Sequence, residues 1–176
     1  MRIIGGQYRG RTLRAPKGRD VRPTTDRVRE ALFNLLAARR ALDGARVLDL
    51  FAGTGALGLE ALSRGAASAL FIEQHAPTLR LAQQNAADLA IERAAFLRAD
   101  AIAFLRRPSA ERYDLAFADP PYDLPALPGL PDLARPHLAP GGLFALEHDA
   151  HHDFSAHPAL VLTRAYGQTV LSIFED

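Results

Sequence analysis

The densest chemical signal in the 176-residue chain is Asp119-Pro120-Pro121-Tyr122. It follows YDLAFA (113–118), a β-prone apolar run, and two prolines cannot continue a strand ladder. The chain must leave a sheet here in a fixed shape. That shape gathers a carboxylate, a main-chain carbonyl and a phenol ring around one spot. Such a set suits a planar substrate bearing an NH2 group. The Asp119 carboxylate and the Pro120 carbonyl can accept both amino hydrogens, leaving the nitrogen directed at a methyl donor. The Tyr122 ring can stack on the plane, a contact worth roughly 1–3 kcal/mol for a base. Asp119, Pro120 and Tyr122 are the candidate catalytic residues.

Gly53-Thr54-Gly55-Ala56-Leu57-Gly58 is the second signal. It follows the strand candidate RVLDLFA (46–52) and opens a helix that runs to about Ser63. Glycines let the main chain approach a ligand beyond the carboxyl ends of parallel strands. Glu73 ends the next strand candidate, SALFIE (68–73), 20 residues after Gly53. That spacing suits a carboxylate accepting hydrogen bonds from ribose hydroxyls. The ligand is then a dinucleotide or S-adenosylmethionine. A pyrophosphate at the helix N-terminus is repelled by an acid nearby, and Asp49 lies in the strand just before the turn. Asp49 suits a cationic amino group better, and a charge buried in a parallel strand needs a partner.

The elements that must carry these residues alternate. Strand candidates at 46–52, 68–73, 94–99 and 113–118 are separated by helices, the second with Pro77 in its first turn and the third a short one at 102–107. A helix near 127–138, a strand at 142–147 and two late strands near 159–164 and 168–174 follow. Alternation implies a mostly parallel sheet covered on both faces. Only Tyr166-Gly167 joins the last two strands, which predicts an antiparallel hairpin. Before the body, Gly5-Gly6 and Gly10 predict a small hairpin over 1–14, and a helix should begin at Thr24 or Thr25. Val28, Ala31, Leu32, Leu35 and Leu36 form its apolar stripe; Arg27, Arg29, Arg39 and Arg40 mostly fall off it. Asp43-Gly44 divides a basic extension, 1–43, from a body, 44–176.

Charge follows the same division. Residues 1–40 hold eleven basic side chains against three acidic ones, a net +8; residues 41–176 hold ten against 17, a net −7. A basic arm on an acidic body points to a polyanionic partner that meets one face. Composition is that of an ordinary globular chain, 48% hydrophobic and 23% charged. The absence of cysteine excludes a disulfide framework, a thiolate zinc site and a cysteine nucleophile. No apolar run is long enough for a membrane span and the start lacks a signal-peptide core, so a cytoplasmic address is expected. His148, His151, His152 and His157 stand close in sequence, but a solvated loop is the expectation and no metal is needed.

VLDLFAGTGALGLEAL resembles the cofactor loop of Rossmann-like class I S-adenosylmethionine-dependent methyltransferases. The DPPY turn is similar to the signature of methyltransferases acting on amino groups of planar systems, and Asp in first place leans towards a nucleobase. RIIGGQYRGRTL and RPTTDRVREALFNLL resemble the arm signatures of bacterial 16S ribosomal RNA guanine-N2 methyltransferases of the RsmD type. The resemblance covers about 1–75 and 113–122 well. It implies an α/β fold with a seven-stranded sheet, S-adenosylmethionine as cofactor, and the small ribosomal subunit as partner. It also implies N2 of a guanine as acceptor, at position 966 by family alone. Under it Asp49, Phe51, Gly53, Thr54 and Gly55 form the cofactor loop, Glu73 takes the ribose, and Asp100 with Ala101 takes the adenine. Asp100 is equally placed to cap a helix. Arg2, Arg9, Arg11, Arg14 and Arg19 are the expected phosphate contacts, with Arg22, Thr24 and Arg29 at the mouth of the site. A monomer is the default. The rivals are a DNA adenine amino-methyltransferase, an NAD(P)-dependent oxidoreductase and a non-enzymatic rRNA-binding assembly factor.

Overall fold

The computed structural model describes residues 1–16 and 25–176. Thr25 caps α1 (Asp26–Ala37), its hydroxyl accepting the Val28 N–H. Val28, Leu32 and Leu36 are buried, as their helical spacing predicts. Strand–helix alternation follows in β1 (Arg46–Leu50), α2 (Ala56–Ser63), β2 (Ser68–Ile72), α3 (Ala76–Asp88), β3 (Ala94–Leu97), α4 (Ala101–Leu105) and β4 (Tyr113–Ala118). The chain continues through α5 (Leu130–Ala134), β5 (Leu138–Asp149), β6 (Leu160–Tyr166) and β7 (Thr169–Glu175). The single helix expected over 127–138 is broken: α5 is flanked by 3-10 turns at Leu127–Gly129 and Arg135–His137. Pro128, Pro131 and Pro136 each lack the N–H that a continuous helix requires.

All seven strands form one sheet in the order β3-β2-β1-β4-β5-β7-β6. The first five run parallel, and β7 is antiparallel to both β5 and β6. The chain winds outward from β1 on one side and from β4 on the other. A crevice therefore opens beyond the carboxyl ends of β1 and β4, where this kind of sheet binds ligands.

Alternate strand residues feed two apolar layers. Val47, Phe71, Leu115, Phe117 and Ala145 pack in the layer that holds α1 and α2. Leu48, Leu50, Ala116 and Leu146 pack against α4 and α5 in the other. The N-terminal arm joins the first layer through Ile3 and Leu13, both buried. Its hairpin is short, with one bridge between Arg2 and Thr12. Its main chain is docked on α2: the Ile4 and Gly5 N–H groups donate to Glu60 at 2.7 and 2.8 Å, and the Tyr8 N–H donates to Ser63 Oγ at 3.0 Å. Among the described residues no helix is long and apolar enough to cross a membrane.

Candidate active site

Asp49 has the parity of Val47 and so faces α2. Its Oδ2 accepts the Gly58 N–H at 2.8 Å. A Cβ on Gly58 would lie 2.3 Å from Phe71 Cε1 and 3.0 Å from Asp49 Oδ2, so only glycine lets α2 come this close to the sheet. Burial pushes the Asp49 carboxyl well above the ordinary carboxylate range; the Gly58 N–H opposes this, and the charges of Asp119 and Glu73 add to it. Three carboxylates from neighbouring strands thus crowd one place, which electrostatically favours a cation.

The chain leaves β1 through left-handed backbone, with Phe51 at φ 55° and Gly53 at φ 57°. A non-glycine residue there carries strain of order 1 kcal/mol or more, the kind stored at functional turns. A Cβ built on Gly53 would meet only the Phe51 carbonyl, at 3.9 Å, so this side of the turn is an open cradle. Glu73 braces the turn. Its Oε2 accepts the Gly53 N–H at 3.0 Å and its Oε1 the His75 N–H at 2.7 Å. A carboxylate offers about four acceptor positions, so a fixed Glu73 can still receive ribose hydroxyls. Thr54 is buried, with its carbonyl accepting from Asn85 Nδ2 at 3.0 Å. These residues fit S-adenosylmethionine: an open cradle, an oriented acceptor and a concentration of negative charge.

Asp119 follows Ala118, whose register partner in β5 is Leu146, so Asp119 comes level with Glu147 of the neighbouring strand, which itself runs on to Asp149. Prolines 120 and 121 turn the chain outward, and the Leu124 N–H closes the turn on the Pro121 carbonyl at 3.0 Å. The Tyr122 hydroxyl donates to Glu147 Oε1 at 3.4 Å and lies 3.5 Å from Thr169 Oγ1. Burial raises the Tyr122 pKa; the Thr169 contact lowers it, and the charges of Glu147 and Asp119 raise it further. The phenol therefore stays protonated at neutral pH, its ring tethered to β5 and β7. Glu147 was not among the residues singled out from sequence. Its signal was available: it closes the apolar run GLFALE (142–147), although β5 continues to Asp149.

Asp100 and Ala101 follow β3, at the same edge of the sheet as Glu73. Asp100 Oδ1 caps α4 by accepting the Ala103 N–H at 2.7 Å, and Ala101 is buried as the first residue of that helix. Arg9 is exposed. Arg2 pairs with Asp26 at 3.2 Å, Arg14 with Asp88 at 2.7 Å, and Arg11 donates to the Asp88 carbonyl at 2.9 Å. Exposed pairs of this kind are worth about 0–1 kcal/mol, so they exchange readily for other anions. Arg19, Arg22 and Thr24 lie outside the described residues. Arg29 corrects the expectation of a surface contact, because it is wholly buried. Its Nη2 donates to the Arg2 carbonyl and to Asp26 Oδ1, and its Nε lies 4.0 Å from Glu60 Oε2. A guanidinium buried among arm and α2 groups cannot meet a phosphate.

The histidine run is not one solvated loop, because His148 lies within β5. His148 is buried, bonded to Ser172 Oγ at 2.9 Å and to the Asp149 carbonyl at 2.7 Å, while His152 pairs with Asp149 at 2.8 Å. Among the described residues no group of three or more His, Asp or Glu side chains is gathered for a metal.

Sheet order, crevice and strand-end carboxylates together define the Rossmann-like class of S-adenosylmethionine-dependent methyltransferases. The family model described as Conserved hypothetical protein 95 matches residues 1–175. The chain belongs to that family, the RsmD-type proteins. It is 47% identical over 122 residues to ribosomal RNA small subunit methyltransferase D of Escherichia coli (strain K12), a match spanning 69% of this chain and 60% of that relative. It is 36% identical to the Bacillus subtilis (strain 168) protein YlbH, across 99% of this chain and 98% of the relative. The solved structure of the Escherichia coli protein yhhF superposes with a TM-score of 0.88 at 38% identity, covering 99% of this chain and 97% of that one.

Proposed function

We propose that this chain methylates the exocyclic N2 amino group of a guanine in 16S ribosomal RNA, at position 966 of the small subunit. The carrying observation is the pairing of two unlike turns at one crevice. The braced glycine turn beyond β1 stands beside the Asp119-Pro120-Pro121-Tyr122 turn beyond β4. The name of the Escherichia coli relative, a ribosomal RNA small subunit methyltransferase, supports the same reading.

S-adenosylmethionine, when bound, supplies an electrophilic methyl group on a sulfonium. The Gly53–Gly55 main chain and Glu73 hold it, with Asp49 countering its positive charge. Asp119 and the Pro120 carbonyl accept the two amino hydrogens and aim the nitrogen lone pair. Tyr122 stacks on the base. A strong general base is not required: alignment alone can supply up to roughly 7–11 kcal/mol, and water takes the proton released after transfer. An amino group inside a stem is out of reach, so the target guanine is single-stranded or flipped. Arg2, Arg9, Arg11 and Arg14 on the arm hold the RNA by its phosphates.

The test is transfer of a tritiated methyl group to small subunits from a methylation-deficient strain, with mapping of the product. Label on N2 of one guanine is expected. Label on an adenine, or no transfer to RNA, would overturn the assignment.

A further inference from the structure

Asn85 has no part in the chemistry above, yet its residue is 1% exposed and its amide is fully engaged. Oδ1 accepts the Arg14 N–H at 2.7 Å. Nδ2 donates to the Arg14 carbonyl at 3.1 Å and to the Thr54 carbonyl at 3.0 Å. One side chain of α3 therefore grips both main-chain groups of an arm residue and a carbonyl of the glycine turn. Ala82, one turn earlier on the same helix, lies against that turn as well: a Cβ on Gly55 would stand 3.3 Å from Ala82 Cβ. Asp88, one turn later, takes the Arg14 guanidinium at 2.7 Å. The C-terminal half of α3 is thus a strut between the basic arm and the glycine turn.

We propose that Asn85 is a positioning residue that makes binding of the cofactor and binding of RNA mutually reinforcing. The inference rests on the reading of the arm as the RNA-binding surface. A ligand that fixes the glycine turn fixes the Thr54 carbonyl, and with it the Asn85 amide. That amide in turn sets both main-chain groups of Arg14, and so the direction in which the arm presents its guanidinium groups. The same contacts run in reverse when RNA engages the arm. Linkage requires the two effects to be equal in size.

The experiment measures S-adenosylhomocysteine affinity of the full chain by calorimetry, with and without a saturating 16S rRNA transcript. In the natural protein the transcript should tighten binding about 5-fold or more, within the usual range of coupling between sites. Asn85→Ala should bind each ligand alone but bring the factor to about 1. If Asn85→Ala fails to fold, a second pair of variants carries the test. Arg14→Pro removes the N–H that Asn85 accepts, whereas Arg14→Gln removes the charge and keeps that N–H. The factor should collapse in the first and persist in the second, although both bind RNA more weakly. A factor of 1 in the natural protein when both ligands bind would overturn the coupling. So would an unchanged factor in Asn85→Ala and Arg14→Pro. Absence of RNA binding by the natural protein would instead remove the arm reading and the coupling with it.

Discussion

Two turns leave neighbouring parallel strands of this sheet, and they are built from opposite materials. The turn after β1 is made of glycines and is rich in main-chain N–H donors, which Glu73 and Asp49 occupy at 3.0 and 2.8 Å. The turn after β4 contains two prolines, which have no N–H to give, beside the Asp119 carboxylate and the Pro120 carbonyl. On the proposed reading the first turn holds the methyl donor. The second is a stiff ring of acceptors that suits a donor such as an amino group. On that reading, main-chain chemistry and the carboxylates of Glu73 and Asp119 together sort the donor from the acceptor of the transferred group.

Four substitutions test that division. Asp119→Ala should have the largest effect, lowering turnover about 100-fold or more through misalignment of the amino group. S-adenosylhomocysteine affinity should stay within a few-fold, since Asp119 belongs to the second turn. Methyl transfer at saturating cofactor, paired with calorimetry, measures both; equal loss of both would merge the two turns into one function. Glu73→Ala should have the complementary effect. Losing a charge-assisted contact worth about 1.5–3 kcal/mol weakens cofactor binding about 10- to 150-fold. Unchanged affinity in the folded variant would place Glu73 outside the cofactor site.

Gly58→Ala tests packing rather than ligand contact. The added methyl meets the Phe71 ring at 2.3 Å, so stability should fall by about 1–3 kcal/mol, read from a denaturant midpoint. Asp49→Asn should have the smallest effect, and in the opposite direction. Burial raises the folded-state pKa of Asp49 above its unfolded value, so ionisation costs stability as pH rises above about 4. An Asn oxygen can still accept the Gly58 N–H. The ligand-free variant should melt at a higher temperature at neutral pH, with little gain at pH 4, while binding the cationic cofactor less tightly. A lower melting temperature at neutral pH would show that the carboxylate is not a stored cost.

Much of this arrangement was legible in the chain, because the signals were local. Each glycine, proline and apolar alternation acts within a few residues, so strands β1 to β4 and the hairpin of β6 and β7 followed from the spacing of residues alone. The 127–138 region resisted because helical periodicity was present while three prolines removed the donors that would have sustained it. The Asp119 and Glu73 positions were readable as acids at strand ends. Glu147 closes an apolar run in the same way, but nothing near it in sequence says that β5 lies beside β4 and brings it to Tyr122.

What the sequence determined by itself was most of the elements, the composition of the two turns and the concentration of basic residues near the start of the chain. What only the tertiary structure decided was which charges face water and which residues join distant segments. Arg29 sits one residue from an apolar stripe and reads as a surface cation; the approach of α2 buries it beside Glu60, and only its Nη2 donates, to the Arg2 carbonyl and to Asp26. Asn85 reads as an unremarked polar residue in a helix, and becomes the contact shared by Arg14 and Thr54 only when arm, turn and helix are packed together. The physical reason is the same in both cases. Backbone geometry and local hydrogen bonds are set by neighbours in the chain, whereas desolvation and long-range pairing depend on groups that folding alone brings within a few ångströms.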